Sequence, residues 1–590
     1  MPRRSRTTPT PNRAISADGS MTKRQVLEAL SGLLLGMFVS ILAGTVVSTS
    51  LPIIISDLQG DQSAYTWVIT ATLLATTVST PIWGKFADLF NRKLLIQLAL
   101  AVFVIGSALA GFSQDTGTLI GFRVLQGLGA GGLAALSQII MADIISPRDR
   151  GRYAGLFGAV MAVGTVGGPL LGGVVTDAFG WRWNFFIALP IAIIAIVLLQ
   201  RTLHLPARVK RAVKIDYLGA ALIAGGVSLL LIWVTLAGND FEWASVTSFI
   251  MVAVAALLLV AAVIVEFKVD EPIIPLSLFK NRTFTLATIA SISVGVSMFG
   301  TSVFLSQYMQ LARGATPTQS GLLTIPMMGG LLISSTLFGT VISRTGKWKS
   351  IMVSGAVLVI AGLLLLGTLQ YDTNLILVGI FMAVLGAGLG MLMQNLVLVV
   401  QNSIEVTNLG VATSAVTFFR SLGGTIGVSV LGSVLGTVVA QHIKDGIPAL
   451  SPANQAAAVE TLGSGVIPHV SSLPGAIRVL VESAYGSGVG TVFLLGVPLA
   501  VITLVMVALM PNASLGTQTA IALAKAKAKL DGTANAKVES QRELEDAEDI
   551  LIEVGAASAG LTPVGMATPT GSIRVLRDAE NASGNPSTGR

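Results

Sequence analysis

The chain contains no cysteine, and its three histidines, His204, His442 and His469, are scattered. Disulfides, thiolate metal sites and thiol nucleophiles are therefore excluded, and no histidine cluster offers a ligand set for a metal. Charge is scarce too: Asp, Glu, Lys and Arg make up 11% of the 590 residues, against about a quarter in ordinary soluble domains. No Gly-x-x-x-x-Gly-Lys-[Ser/Thr] loop is present, which argues against direct ATP hydrolysis. Neither paired carboxylates inside an apolar segment nor a Ser/His/Asp arrangement can be assembled, so an enzyme is not expected.

What fills the chain is apolar: 53% of its residues are hydrophobic. Runs of about twenty such residues, each long enough to cross a bilayer as a helix, follow one another from Ala29 to Met510. They predict fourteen spans, near 29–56, 64–84, 94–113, 118–142, 153–176, 183–201, 216–238, 245–265, 284–311, 319–342, 350–370, 374–401, 409–440 and 488–510. The first run is too long for a cleaved signal peptide and is expected to stay. The 64 glycines suit helices that approach closely and tilt against one another in lipid. The fold class is all-α integral membrane.

The net charge of +7 does not point to nucleic acid, because the bases lie in short loops beside apolar helices, where they anchor to an anionic leaflet. Arg3, Arg4, Arg6, Arg13, Lys23 and Arg24 precede the first span. Alternate loops hold Lys85/Arg92/Lys93, Arg148/Arg150/Arg152, Arg201/Arg208/Lys210/Arg211/Lys214 and Arg344/Lys347/Lys349. The positive-inside rule makes these cytoplasmic, with both termini on that side of the cytoplasmic membrane.

The loop Gly84-Lys85-Phe86-Ala87-Asp88-Leu89-Phe90-Asn91-Arg92-Lys93 recurs, weakened, as Gly339 to Lys349, with Ser343 in the place of Asp88. One half of the chain therefore copies the other, the plan of a rocking transporter. The spacing of the copies exceeds six helices and accommodates two extra spans. The expected organisation is a tail at 1–27, a six-helix bundle at 28–201 and two inserted helices with flanking loops at 202–283. A second six-helix bundle follows at 284–510, with an extracytoplasmic loop at 441–487, and then a cytoplasmic, partly disordered tail at 511–590.

With these motifs in hand the chain resembles the major facilitator superfamily, specifically its fourteen-helix drug:proton antiporter group, over about residues 25–510. The carriers are Gly84, Asp88, Arg92 and Lys93; Arg123 with Gln126-Gly127; and Gly158 to Gly173, which is similar to a fifth-helix motif of exporters. Trp181-Arg182-Trp183-Asn184, Ser306-Gln307-Tyr308-Met309-Gln310 and Arg420-Ser421-Leu422-Gly423-Gly424 add to it. One departure stands out: Ala43 occupies the place of the first-helix acid common in that group. The resemblance implies proton-driven export of amphipathic drugs or toxic compounds by alternating access, with no cofactor beyond the proton gradient. Export of a lipid or endogenous metabolite is the alternative, and a non-transporting membrane sensor or scaffold is the alternative of another class.

Candidate residues follow from chemistry and resemblance together. Gly84, Asp88, Arg92, Lys93 and Asp143 form the expected cytoplasmic gate, a charge latch expected to act mainly through the first loop. Against it stands ordinary topological anchoring. Arg123, with Gln126, is expensive in hydrocarbon and is expected to face a cavity or couple to protonation, or else to snorkel to an interface. Arg420 either braces its helix or lines the pathway. Phe304, Gln307, Tyr308, Gln310, Met391, Gln394 and Asn395 are candidates for the substrate cavity. Gly164, Gly168, Pro169, Gly172 and Gly173 are expected to form a tight face at the interface between bundles. Arginines without a first-helix acid favour neutral or weakly anionic cargo, handled by a monomer.

Overall fold

The computed structural model describes residues 23–59, 62–203, 216–238, 241–269, 271–452, 454–456, 458 and 473–517. The expected tails, apart from 23–27 and 511–517, and the basic run from Arg208 to Lys214 lie outside them, as do His204 and His469.

The helices start where the sequence supplies caps. The Asp115 side chain accepts from Thr118 N ahead of α4 (Thr116–Ile144), and these bonds hold its carboxyl below the usual carboxylate range. Ser146 caps α5 (Pro147–Phe179), with Pro147 in the first turn where no N–H is needed. Asn281 caps α10 (Arg282–Gln307), and a Thr316/Gln319 capping box opens α11 (Pro317–Leu323). The other helices of the first half are α1 (Lys23–Asp57), α2 (Gln62–Leu89), α3 (Arg92–Gly111), the single turn α6 (Trp183–Phe186) and α7 (Ala188–Thr202). An inserted pair follows, α8 (Tyr217–Leu236) and α9 (Val246–Glu266). The second half continues with α12 (Ile325–Thr345), α13 (Lys349–Leu366), α14 (Leu375–Ser403), α15 (Leu409–Gly446) and α16 (Gly475–Leu509).

Among the described residues, thirteen segments are long and apolar enough to span a membrane, so the chain is a multi-pass membrane protein. The long helix missing from that set is α2, 28 residues in length. Threonines lower its hydropathy, but their hydroxyls are satisfied inside the protein. Thr72 Oγ1 donates to Arg123 O at 3.3 Å and Thr76 Oγ1 to Gly127 O at 3.2 Å, while Thr77 and Thr80 bond back one turn along their own helix. With α2 the count returns to fourteen.

Each half has its own apolar core, one through Leu30, Leu100, Phe103 and Leu136 and the other through Phe284, Val359, Leu389 and Val492. The halves meet along two seams, α2 against α15 and α5 against α12. Helix α8 fills the first seam, where Ile223, Val227 and Leu231 pack with Val78 of α2 and Phe418 of α15. Helix α9 presents Leu257, Val260 and Ile264 outward, as a lipid-facing helix does.

The long loop expected at 441–487 is shorter than the sequence suggests. Helix α15 runs on to Gly446 and α16 begins at Gly475. With 38 residues, α15 is about 57 Å long at 1.5 Å per residue, well beyond the ~30 Å hydrocarbon layer. Its last turns pack on the first turns of α16, where an added Cβ on Gly446 would overlap Leu480 and His442 lies 3.4 Å from the Ser483 hydroxyl. Small residues and a histidine kept this stretch from reading as a span, yet interhelix packing keeps it helical.

Candidate functional site

One end of the bundle, here the basic end, carries the loops with Lys85, Arg148 and Lys349. There Asn91 caps α3 through Lys93 N at 2.9 Å, which turns the Arg92 side chain back beneath α2. Its guanidinium donates to Ala87 O at 2.8 Å, to Asp88 at 2.9 Å and to Asp143 on α4. Lys93 reaches Gln200 O at 2.8 Å. Asp88 does more: it accepts from Gly410 N at 3.0 Å and Val411 N at 2.8 Å, in the first turn of α15. Asn408 gives that helix no side-chain cap, so a carboxylate from the other half caps it and meets the positive end of its dipole. Gly84 permits the approach, since a Cβ there would overlap Ser414. The three charges Asp88, Arg92 and Asp143 all belong to the first half; the bridge between halves is Asp88 to the α15 amides.

The second copy also bridges, but through backbone carbonyls and without an acidic side chain. Arg148, at the start of α5, donates to Ser343 O at 3.0 Å and Arg344 O at 3.1 Å at the end of α12. Ser343 needs no acid because its backbone is the acceptor. Beside it, buried Arg150 donates to Gln401 of α14, to Ile145 O at 3.0 Å and to Ala142 O at 2.9 Å. Gln401 in turn donates to Thr413 Oγ1 at 3.0 Å. Lys85 pairs at 2.7 Å with Glu271 of the linker that follows the inserted helices. Arg148, Arg150, Gln401 and Glu271 were missed as site residues. The bases registered only as topology signals, and nothing in sequence marks a glutamine as their acceptor.

Deeper in, Arg123 is buried and donates to Val68 O at 3.3 Å and Gln126 Oε1 at 2.6 Å. Both acceptors are neutral, and Gln126 Nε2 is itself buried without a partner. Arg420 is likewise buried, and an added Cβ on Gly295 of α10 would meet its backbone carbonyl. Ala43 lies packed in the first core, 1% exposed. The position of the absent acid is thus part of the apolar packing.

The seven cavity candidates do not gather in one place. Tyr308 begins a π-helical turn, Tyr308–Ala312, and its hydroxyl donates at 2.7 Å to Gln370 O in the loop before α14. Gln310 bonds Ser306 at 3.0 Å, Gln307 carries a buried unpartnered oxygen, and buried Phe304 packs near Gly300 and Gly432. These four brace the end opposite the basic loops. Asn395 lies twenty residues beyond the start of α14, about 30 Å away along that helix. Gln394 and Asn395 line a small recess of about 10 Å³ together with Met141, Arg150, Leu398 and Gln401, and Met391 is buried one turn away. Sequence polarity selected both groups; helix direction separates them.

The α5 glycines also sit differently from expectation. Added Cβ atoms on Gly164, Gly168 and Gly172 would meet Ile41, Thr45 and Val46 of α1, while nothing lies within 4 Å at Gly173. Thr45 Oγ1 donates to Gly164 O at 3.0 Å. This face packs inside the first half; Gly155 and Gly158 one to three turns earlier are the ones that meet α12, at Thr336 and Ser335. Periodicity shows that glycines share a face but not which neighbour it meets. The Pro169 side chain is outside the described residues. At the far end, Trp181 donates at 2.7 Å to Asp57, Arg182 at 3.3 Å to the same carboxylate, and Asn184 at 2.6 Å to Ser50. That element ties α1 and α5 together at the end opposite the gate.

Comparison with known proteins agrees with this architecture. The sequence profile described as Major Facilitator Superfamily matches residues 33–428. The chain is 37% identical to the multidrug transporter protein MdtP of Bacillus subtilis (strain 168), over 71% of this chain and 77% of that one. It is 32% identical to multidrug resistance protein 3 of the same organism, over 82% of this chain and 95% of that one. The crystal structure of the human organic anion transporter MFSD10 (TETRAN) matches with a TM-score of 0.54 and 16% identity, over 80% of this chain and 99% of that one, a likeness in fold.

Proposed function

Because the chain belongs to the Major Facilitator Superfamily, we propose that it exports amphipathic small molecules across the cytoplasmic membrane by alternating access, driven by proton antiport. The basic end then faces the cytoplasm, as the distribution of Lys and Arg favours. The observation that carries the reading is the set of hydrogen bonds joining the halves there: Asp88 to Gly410 and Val411, Arg148 to Ser343 and Arg344, and Arg150 to Gln401. They unite two separately cored bundles at one end, as a closed cytoplasmic gate requires. Small interfaces of this kind open and close on modest energy differences.

The relatives named multidrug transporters support a broad apolar cargo. Arg123, buried beside neutral acceptors, is the residue we assign to coupling, because proton arrival nearby changes the energy of an unpaired charge. The test is reconstitution in vesicles with an imposed proton gradient. Neutral N-phenyl-1-naphthylamine is expected to move against its own gradient, with counterflow of protons, and Arg123→Ala is expected to abolish that flux at equal protein content. Absence of gradient-dependent flux for neutral, anionic and cationic amphipaths alike would overturn the reading.

A further inference from the structure

Among the described residues four arginines are buried between the helices, and they differ in what meets the charge. Arg92 faces two carboxylates. Arg150 bonds three neutral oxygens, with the Asp143 carboxylate close enough to act on its charge, and Arg123 bonds two neutral oxygens. Arg420, 8% exposed, has no hydrogen-bond or ion-pair partner among the described residues. It stands eleven residues into α15, about 16 Å from the start of that helix and so near the middle of a ~30 Å layer.

No carboxylate among the described residues is placed to neutralise it. The helices packed on α15 are α2, α4, α8, α10, α14 and α16. Their acids are Asp88 and Asp143, each one residue from a helix end and bound to Arg92, and Glu482, paired with Arg478 far toward the other end. On α15 itself the acid is Asp445, at its final turn. An unpaired guanidinium at this depth calls for water or an anion that arrives from outside.

A polar line leads to it from the recess. Thr413, Thr417 and Arg420 follow at i, i+4 and i+7, one face of α15. Thr413 is bonded to Gln401, and Gln401 to Arg150. The recess offers Gln394 and Asn395 as neutral hydrogen-bonding groups and Met141 and Leu398 as apolar wall. Cation, neutral polar groups and apolar wall, with no acid among the lining residues, fit a small anionic head on an apolar body.

We propose that the recess at Arg150 and the buried Arg420 form one recognition track for amphipathic monovalent anions, carboxylates or sulfonates, entering from the basic end. Arg150 meets the head when its bond to Gln401 opens, and Arg420 holds it at mid-depth. The proposal rests on the reading of the chain as a transporter of amphipaths and specifies the charge of the cargo.

Binding of pyrenebutyrate, ionised at pH 7.5, is compared with that of neutral pyrenebutanamide by fluorescence anisotropy on the full chain in a nonionic detergent. The wild type is expected to prefer the acid by about tenfold or more, the effect of one charge-assisted pairing. Arg420→Gln brings the ratio to about one without changing affinity for the amide, and Arg420→Lys leaves a several-fold preference because a point charge replaces a fork. Arg24→Gln, an exposed position, controls for general attraction by a positive chain and keeps the full ratio. A wild-type ratio near one, or an undiminished ratio in Arg420→Gln, overturns the proposal. If that variant does not fold, the wild-type ratio and Arg420→Lys decide. The assay needs neither membrane nor gradient. Selective binding without vesicle flux would remove the export reading and leave the site, whereas flux of the neutral dye without acid preference would do the reverse.

Discussion

The two copies of the basic loop hold the same seam with opposite chemistry. In the first, an acidic side chain from the loop meets backbone N–H groups at the start of a helix in the other half, Asp88 on Gly410 and Val411. In the second, backbone carbonyls of Ser343 and Arg344 meet a basic side chain at the start of a helix in the other half, Arg148. The glycines invert as well: Gly84 on the loop-bearing helix α2 receives Ser414 of α15, whereas Thr336 of the loop-bearing helix α12 is received by Gly155 of α5. The difference follows from how each receiving helix begins. Helix α15 has no side-chain cap of its own, since Asn408 makes no capping bond. Helix α5 has Ser146 as cap, Pro147 without an N–H and Asp149 in its first turn, so a further acid there would find little to bind.

The sharpest break in the comparison is Asp88→Asn. It removes a charge from buried Arg92 and weakens the anion at the α15 dipole, and losing one partner of a buried pair costs about 3–5 kcal/mol. Export is expected to fall at least about tenfold, with the gate displaced toward opening. Because the chain has no cysteine, Ala142→Cys, buried against Leu409 at this seam, reports opening without background. Its maleimide labelling is expected to rise several-fold in the Asp88→Asn background. Unchanged labelling together with unchanged export would leave the carboxylate as a mere topology signal.

Next in size is Gly84→Ala, whose added Cβ would overlap the Ser414 side chain and wedge α2 from α15. A several-fold loss of export is expected, restored by adding Ser414→Gly, which clears the space. The counterpart Gly155→Ala meets Thr336, an exposed side chain with room to turn, and is expected to lose less. Equal losses at both glycines, or no rescue by Ser414→Gly, would show that the tolerance of the seams is not set by these contacts.

How much of this was legible in the sequence depends on where the chemistry resides. Asp88, Arg92 and Asp143 carry their roles in side chains, and their meeting was readable; that Asp88 also caps α15 was not, because backbone amides carry no residue label. The second loop looked weak for the same reason, since its acceptors are carbonyls and its donor, Arg148, resembled any loop base. Fourteen spans were readable from apolar runs, even α2, where threonines bond to carbonyls one turn back and on α4. Depth along a helix was the poorest signal. Tyr308 and Asn395 had similar sequence surroundings, yet one bonds Gln370 O beside the start of α14 and the other lines the recess near its end.

Arg148→Ala probes the second loop alone. Two hydrogen bonds from a largely exposed arginine to neutral carbonyls are lost, each worth roughly 0.5–1.5 kcal/mol before solvent competition. A two- to threefold loss of export is expected, with a small rise in Ala142→Cys labelling. A loss as large as that of Asp88→Asn would make the two loops equal partners and end the asymmetry between them.

The smallest effect is expected from moving the acid between the copies. If sequence similarity alone defined the latch, Asp88→Ser combined with Ser343→Asp would carry the charge to the equivalent loop and recover function. The helix starts argue otherwise. At α15 the departing carboxylate leaves the amides of Gly410 and Val411 with, at best, the weaker neutral acceptor of a serine hydroxyl. At α5 the arriving one finds Pro147 without a donor, the Ser146 cap already bonded to Asp149, and a like charge at Asp149. Arg148 offers a new partner, but an exposed pair adds only about 0–1 kcal/mol. The double variant is therefore expected to export no better than Asp88→Ser alone, within about twofold, and to label equally at Ala142→Cys. Recovery to half the wild-type rate or more would mean that the latch depends on charge in either loop, not on which helix start lacks its own cap.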